Sequence, residues 1–206
     1  MSEVKATPKR RQSNKRSEAT IGNILGAADE IILASGAERI SILDVCAKAG
    51  ISRGTFYRYF ASQQELLDAI SRHKRENFHK VLVQVITPIS DPDQRFEALI
   101  AYLDEYLETC NSRRLLLVAP EFAMKFFQRI FHDSVVRFQD LLAPVFDAWD
   151  ERMGARLDRE LVCELIIRFM LSEHLIGGAS DRKTLPRRIT RLIEALRFGG
   201  AVRVRR

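Results

Sequence analysis

The stretch Ser41–Phe60, SILDVCAKAGISRGTFYRYF, constrains this chain more than any other. It reads as a short helix, a tight turn at Gly50 and a second short helix. Ile42, Val45 and Cys46 face a core, and Ala47 and Ala49 are small enough for close helix packing. The Ser41 hydroxyl can cap the first helix, with Asp44 near the positive end of its dipole. Gly50 permits the turn, Ile51 plugs it, and Ser52 caps the second helix. Arg53, Gly54 and Thr55 then form the opening turn of that helix. In a helix-turn-helix, this is the part that meets base edges in the major groove. Gly54 allows close approach, Tyr57 and Tyr59 carry hydroxyls to phosphate reach, and Phe56 and Phe60 belong to the core. An ordinary antiparallel helix pair would account for the Gly turn, but not for a Ser-Arg-Gly-Thr opening followed by an aromatic cluster.

The rest of the chain is also helical in pattern. Ile21, Ile24, Leu25, Ala28, Ile31 and Ile32 recur at helical spacing before a stop at Gly36. Ser62-Gln63-Gln64-Glu65 is a capping box that opens a long helix. Thr87-Pro88-Ile89-Ser90-Asp91-Pro92 breaks the chain. A stripe from Phe96 to Cys110, an aromatic-rich helical region over about 121–154, and helices over about 158–176 and 184–198 follow. Pro144 is a candidate kink. No alternating strand pattern occurs. The fold class is all-α: an N-terminal three-helix helix-turn-helix domain and a C-terminal helical bundle. The expected divisions are a disordered basic arm at 1–16, the helix-turn-helix domain at 17–62, a ligand-binding and dimerisation domain at 63–198 and a basic tail at 199–206.

Charge is distributed unevenly. Residues 1–17 hold six basic residues and one acid, and 196–206 hold four arginines, so the body between is slightly acidic within a total of +6. A basic arm beside a folded domain suits a polyanion, and Arg10, Arg11, Lys15 and Arg16 are its candidate DNA contacts. The N-terminus lacks the apolar run of a signal peptide, and no run is long enough to span a bilayer, so the expected location is cytoplasmic with no membrane partner. Cys46, Cys110 and Cys163 read as small buried hydrophobes in a reducing compartment. The four histidines show no paired ligand spacing, and no nucleophile elbow or phosphate loop is present. Neither a metal, a cofactor nor an enzymatic activity is expected.

Two features stand out beyond the helix-turn-helix. Seven of the 17 aromatic residues fall between 122 and 149, more than one amphipathic stripe needs. Phe122, Phe126, Phe138 and Trp149, with Tyr102 and Tyr106, are candidate lining for an apolar cavity in which tyrosine hydroxyls orient a ligand. In the helix over 158–176, Glu160, Glu164 and Arg168 form one narrow polar stripe. Leu161, Leu165 and Phe169 flank it on one side, and Cys163, Ile166, Ile167 and Met170 on the other. A helix apolar nearly all round is buried on two faces, one of them available to a second subunit. Ile189, Leu192 and Leu196 of the last helix extend that candidate dimer interface.

The run Thr20-Ile21-Gly22-Asn23-Ile24-Leu25-Gly26-Ala27-Ala28 through Gly36, Ser41 to Phe60 and Ser62-Gln63-Gln64-Glu65-Leu66-Leu67 resembles the DNA-binding domain of TetR-like transcriptional regulators. The resemblance covers about 50 residues and leaves the C-terminal part without a motif. It implies a homodimer on a palindromic double-stranded DNA operator, released when a small, mostly apolar effector binds. It also implies roles: Ser41 caps its helix against a phosphate, Arg53 and Thr55 read bases, Ser52 and Gly54 approach closely, and Tyr57 and Tyr59 grip the backbone. One position departs from the pattern, Gln63, where the family usually has Lys. A ligand-independent regulator, an activator, and a helical carrier or enzyme with a helix-turn-helix-like head are the alternative readings.

Overall fold

The computed structural model describes residues 8–176. They form eight α-helices and no strand: α1 (Pro8–Ser35), a 3₁₀ turn (Ala37–Arg39), α2 (Ile42–Ala49), α3 (Arg53–Tyr59), α4 (Gln63–Ile86), α5 (Pro92–Thr109), α6 (Ser112–Val118), α7 (Pro120–Met153) and α8 (Arg159–Ile176). The all-α reading therefore holds over the described residues. The expected helix over 184–198 and the tail at 199–206 lie outside them.

The chain divides into two compact units. The first ends at Glu76 and takes in Leu117–Phe122; the second starts at Asn77 and resumes at Ala123. The expected boundary after residue 62 is displaced because α4 begins as part of the first unit. Leu66, Ala69 and Ile70 are buried there, and Lys74 pairs with Asp29 of α1 at 2.7 Å.

In the first unit, Ile24, Ala28 and Ile32 of α1 are fully buried one turn apart, as are Val45 of α2 and Phe56 of α3. The expectation of disorder over 1–16 is corrected for its later part, because α1 is helical from Pro8. Lys, Arg and Gln are good helix formers, and extending a helix already nucleated on a buried stripe costs little per residue. Two glycines are conformationally required. Gly50 sits in the left-handed region (φ 66°) and closes α2: its N–H donates to Ala47 O at 3.3 Å, and the Ile51 N–H donates to Cys46 O at 3.0 Å. Gly36 has φ 89°, and a Cβ there would meet the Val118 carbonyl oxygen at 2.7 Å.

In the second unit, α5 packs on α8. The core includes Leu99, Leu103, Phe138, Leu142, Val145, Phe146, Cys163 and Ile166. Asp91 caps α5 by accepting from the Gln94 N–H at 2.8 Å, with Pro92 following at the first helical position. Arg95 holds the preceding loop by donating to Ile89 O and Thr87 O. Asp93 accepts from the Trp149 indole at 2.8 Å and pairs with Arg152 at 2.6 Å. Arg159 pairs with Asp147 and Asp150, while Asp150 also accepts from the Leu157 N–H. This tie fastens the start of α8 to the end of α7. Helix α6 was not anticipated; it fits between the breaks at Asn111 and Ala119 and buries Leu115. Helix α7 continues through Pro144.

Candidate nucleic-acid interface

Both caps expected in the helix-turn-helix are present. The Ser41 hydroxyl accepts from the backbone N–H groups of Leu43 at 3.1 Å and Asp44 at 3.4 Å. The Ser52 hydroxyl accepts from the Thr55 N–H at 3.1 Å and lies 3.0 Å from the Thr55 hydroxyl. A hydroxyl that accepts from its own helix still has a proton to give, so Ser41 can donate to a phosphate without giving up its cap. Helix α3 is seven residues long, and its orientation rests on one anchor: Phe56, fully buried and in ring contact with Phe60 at 5.7 Å.

With Phe56 inward, helical spacing turns Arg53 and Tyr57 outward on one row and Gly54 and Arg58 on the next. All four are exposed, Tyr57 at 47%. This face presents one long cation in its first turn, a gap at Gly54, and a phenol one turn later. Thr55 is half-buried and occupied with Ser52, so it stands behind that face.

Tyr59 faces a different way. It is half-buried, and the Arg58 guanidinium lies 4.9 Å from its ring centroid while donating to its hydroxyl at 3.1 Å. A hydrogen bond with Ser17 of α1, helped by Arg58 and Thr20, holds the phenol below its ordinary pKa. Sequence reasoning passed over Arg58. Its signal was available in the numbering, since it stands one turn after Gly54 and five residues after Arg53. Gln63 is half-buried at the start of α4. There Ser62 accepts from the Glu65 N–H at 3.1 Å, and Glu65 reaches back to the Ala61 N–H at 2.7 Å, one residue ahead of the donor a capping box uses. Arg16 is exposed on α1; Arg10, Arg11 and Lys15 belong to the α1 backbone, with their side chains outside the described residues.

The six candidate cavity residues do not converge. Phe126, Phe138 and Trp149 are all buried on α7, and at about 1.5 Å of rise per residue they sit roughly 16–18 Å apart in succession. Trp149 is core, in edge-on ring contact with Phe96 and Phe146 and hydrogen-bonded to Asp93. Phe126 packs by Phe127, which stacks on the buried His174. Phe122 is half-buried in the first unit. Tyr102, Tyr106 and Phe138 do meet, all around Phe78 of α4, at ring distances of 5.5, 4.7 and 6.3 Å. The Tyr102 hydroxyl donates to Phe78 O at 3.0 Å. Buried His79 adds an imidazole edge to Phe138 and lies 3.4 Å from the Ser134 hydroxyl. Burial pushes the Tyr102 phenol up to about 12 and that of Tyr106 higher still.

Helix α8 has one buried apolar face and one partly exposed one. Cys163, Ile166, Ile167 and Met170 are buried, while Leu161 is 44% exposed and Leu165 and Phe169 are half-covered. Arg168 and Glu164 close the polar stripe with an ion pair at 2.6 Å. Ile189, Leu192 and Leu196 lie outside the described residues. Cys46 and Cys163 are buried as expected, but Cys110 is only partly so, because it caps the exposed end of α5. Among the described residues, no cluster of three or more His, Cys, Asp or Glu is placed to hold a metal, and no helix is long and apolar enough to cross a membrane.

Residues 24–70 match the profile of bacterial regulatory proteins, tetR family. Over 59 residues the chain is 41% identical to an uncharacterised HTH-type transcriptional regulator, YvdT, of Bacillus subtilis strain 168, a match that spans 29% of this chain and 30% of that protein. Two solved structures share the fold. A TetR transcription regulator from Haloarcula marismortui superposes with a TM-score of 0.71 at 17% identity, over 87% of this chain and 98% of the other. The fatty acid degradation regulator FadR from Bacillus halodurans does so with a TM-score of 0.63 at 17% identity, over 92% and 96%. These relatives are regulators of transcription, not enzymes. The capped α2–turn–α3 unit, the profile match across it and the all-helical fold agree: the chain is a TetR-like protein with a TetR-family DNA-binding domain.

Proposed function

We propose that the chain is a homodimeric repressor that leaves a palindromic operator when a mostly apolar small molecule binds. The observation that carries the reading is the exposed row Arg53–Tyr57 on a short helix anchored by buried Phe56 and capped by Ser52. Arg53 is the base reader, through guanine O6 and N7, and the hydroxyls of Ser41, Tyr57 and Tyr59 hold backbone phosphates. Dimerisation uses the uncovered side of α8, where Leu161, Leu165 and Phe169 stand together. It sets the two α3 helices about 34–36 Å apart, one turn of DNA.

The effector seat is the group of rings around Phe78. Tyr102, Tyr106 and His79 offer a few polar atoms in aromatic surroundings, the usual make-up of a small-molecule site. Helix α4 carries Phe78 and runs without interruption from Gln63, so a shift of α4 reaches the DNA-binding unit. The ligand acts by binding the off-register state more tightly. Converting a 1:99 population to 99:1 needs about 5.5 kcal/mol of differential affinity.

Selection of sequences from a random duplex library by the purified chain tests this reading. Two inverted half-sites should emerge; an unselected library would refute it. Mass spectrometry of small molecules carried through purification should find an apolar compound that, added back, releases the selected duplex.

A further inference from the structure

Phosphate binding needs cations at the edges of the recognition surface, and this chain has few. Between Ser41 and Glu65 the only basic residues are Lys48, Arg53 and Arg58. Lys48 is paired with Glu30 at 2.7 Å. Arg53 opens α3 and is engaged by the base edge in the proposed function. The first turn of α4, Gln63-Gln64-Glu65, brings no positive charge. Arg58 is what remains.

Its geometry suits the task. Arg58 is exposed on the same side of α3 as Arg53, Gly54 and Tyr57, and the missing side chain at Gly54 leaves its row clear. The guanidinium carbon lies 4.9 Å from the Tyr59 ring centroid, and the group spends one N–H on the Tyr59 oxygen. A guanidinium has five N–H donors, so four remain. The Tyr59 oxygen accepts from Arg58, which leaves the phenolic O–H as an outward donor. A planar cation and a phenol stand side by side at the end of α3.

We propose that Arg58 and Tyr59 form a seat for one DNA backbone phosphate, with Arg58 supplying the charge that the start of α4 lacks. The seat rests on the DNA-binding reading above and adds Arg58 to the interface. Arg58 neutralises the phosphate, and the stacked ring keeps the guanidinium in place before DNA arrives. A pre-ordered donor loses less side-chain entropy on binding than a free arginine would.

Non-specific duplex binding tests the seat without any known operator, because it is governed by phosphate contacts. The full chain is titrated with a mixed-sequence duplex at several salt concentrations. Arg58→Gln should lower the slope of log K against log salt by about 0.9 per bound protomer, so a fourfold rise in salt costs the variant about 3.5-fold less affinity than it costs wild type. Arg58→Lys should keep the wild-type slope at lower affinity, because it retains the charge and loses the stacked fork. Tyr59→Phe should bind more weakly at an unchanged slope. Far-UV circular dichroism confirms that each variant is folded. A wild-type slope in Arg58→Gln, or a slope in Arg58→Lys as low as that of the Gln variant, would overturn the proposal. A wild-type chain that does not bind duplex DNA at all would refute the DNA-binding reading itself, and the seat with it.

Discussion

Replacing Ser52 with alanine removes one hydroxyl and tests how α3 is held. The Thr55 N–H loses its acceptor at 3.1 Å, and the Thr55 hydroxyl loses a partner at 3.0 Å. Ser52 is exposed, so water takes over part of both bonds, and Thr55 is half-buried, so it does not take over all. Caps of this kind are worth about 1 kcal/mol, within a range of roughly 0.5–2. The backbone at Ser52 (φ −78°, ψ 157°) is extended and open to alanine, so no strain adds to the loss. For a unit of this size, a loss of 1 kcal/mol lowers Tm by about 4–8 °C. Ser52→Gly should lose only a few tenths of a kcal/mol, because glycine leaves the first turn open to water. Hydrogen exchange should locate the effect at the α3 amides, since a seven-residue helix cannot sustain itself without its cap and its packing. Thermal melts of wild type, Ser52→Ala and Ser52→Gly would decide. If Ser52→Ala melts with wild type, or if Ser52→Gly melts lowest, the cap does not hold α3 and the reasoning fails.

Four further outcomes are expected. Arg53→Ala should cost about 1–3 kcal/mol per half-site and relax selectivity at one base position in a competition binding assay. Leu161→Glu and Phe169→Glu should sediment as monomers with helical content retained and selected-duplex binding lost, because each places a charge on the proposed dimer face. Phe56→Ala should destabilise the first unit by about 3–5 kcal/mol in a denaturant titration, as it empties a fully buried site. The Asp150 carboxyl is held below its ordinary pKa, first by its hydrogen bond from Arg159, so its contribution is present above the unfolded value and is lost as pH falls through the folded one. The Tm gap between wild type and Asp150→Asn should therefore be constant near neutrality and close below about pH 4.

What could be read in the sequence was mostly local. Ser41, Gly50, Ser52 and Ser62 act on backbone groups two to four residues away, so their roles follow from spacing, and each is in place. The start of α1 was misjudged because polarity was taken as a sign of disorder. Lys, Arg and Gln are absent from cores yet stable in helices, and composition does not separate the two properties. The domain boundary was expected after residue 62. The structure instead carries the first unit on to Glu76, through Leu66, Ile70 and the Lys74–Asp29 pair, contacts 45 residues apart in sequence.

The aromatic cluster shows why the proposed effector seat is harder to read from sequence. Density along the chain suggested one cavity, but a helix spends its length at about 1.5 Å per residue, and α7 distributes its rings to separate places. What gathers rings is the meeting of different helices. Phe78 of α4, Tyr102 and Tyr106 of α5 and Phe138 of α7 come together from three separate helices. His79, next to Phe78, carries the same lesson: it is buried against Phe138 and within reach of Ser134, 55 residues away. A helix-turn-helix is a local object and announces itself in twenty residues. A ligand seat in a helical bundle is built from single residues on separate helices, each of which looks like core when read alone.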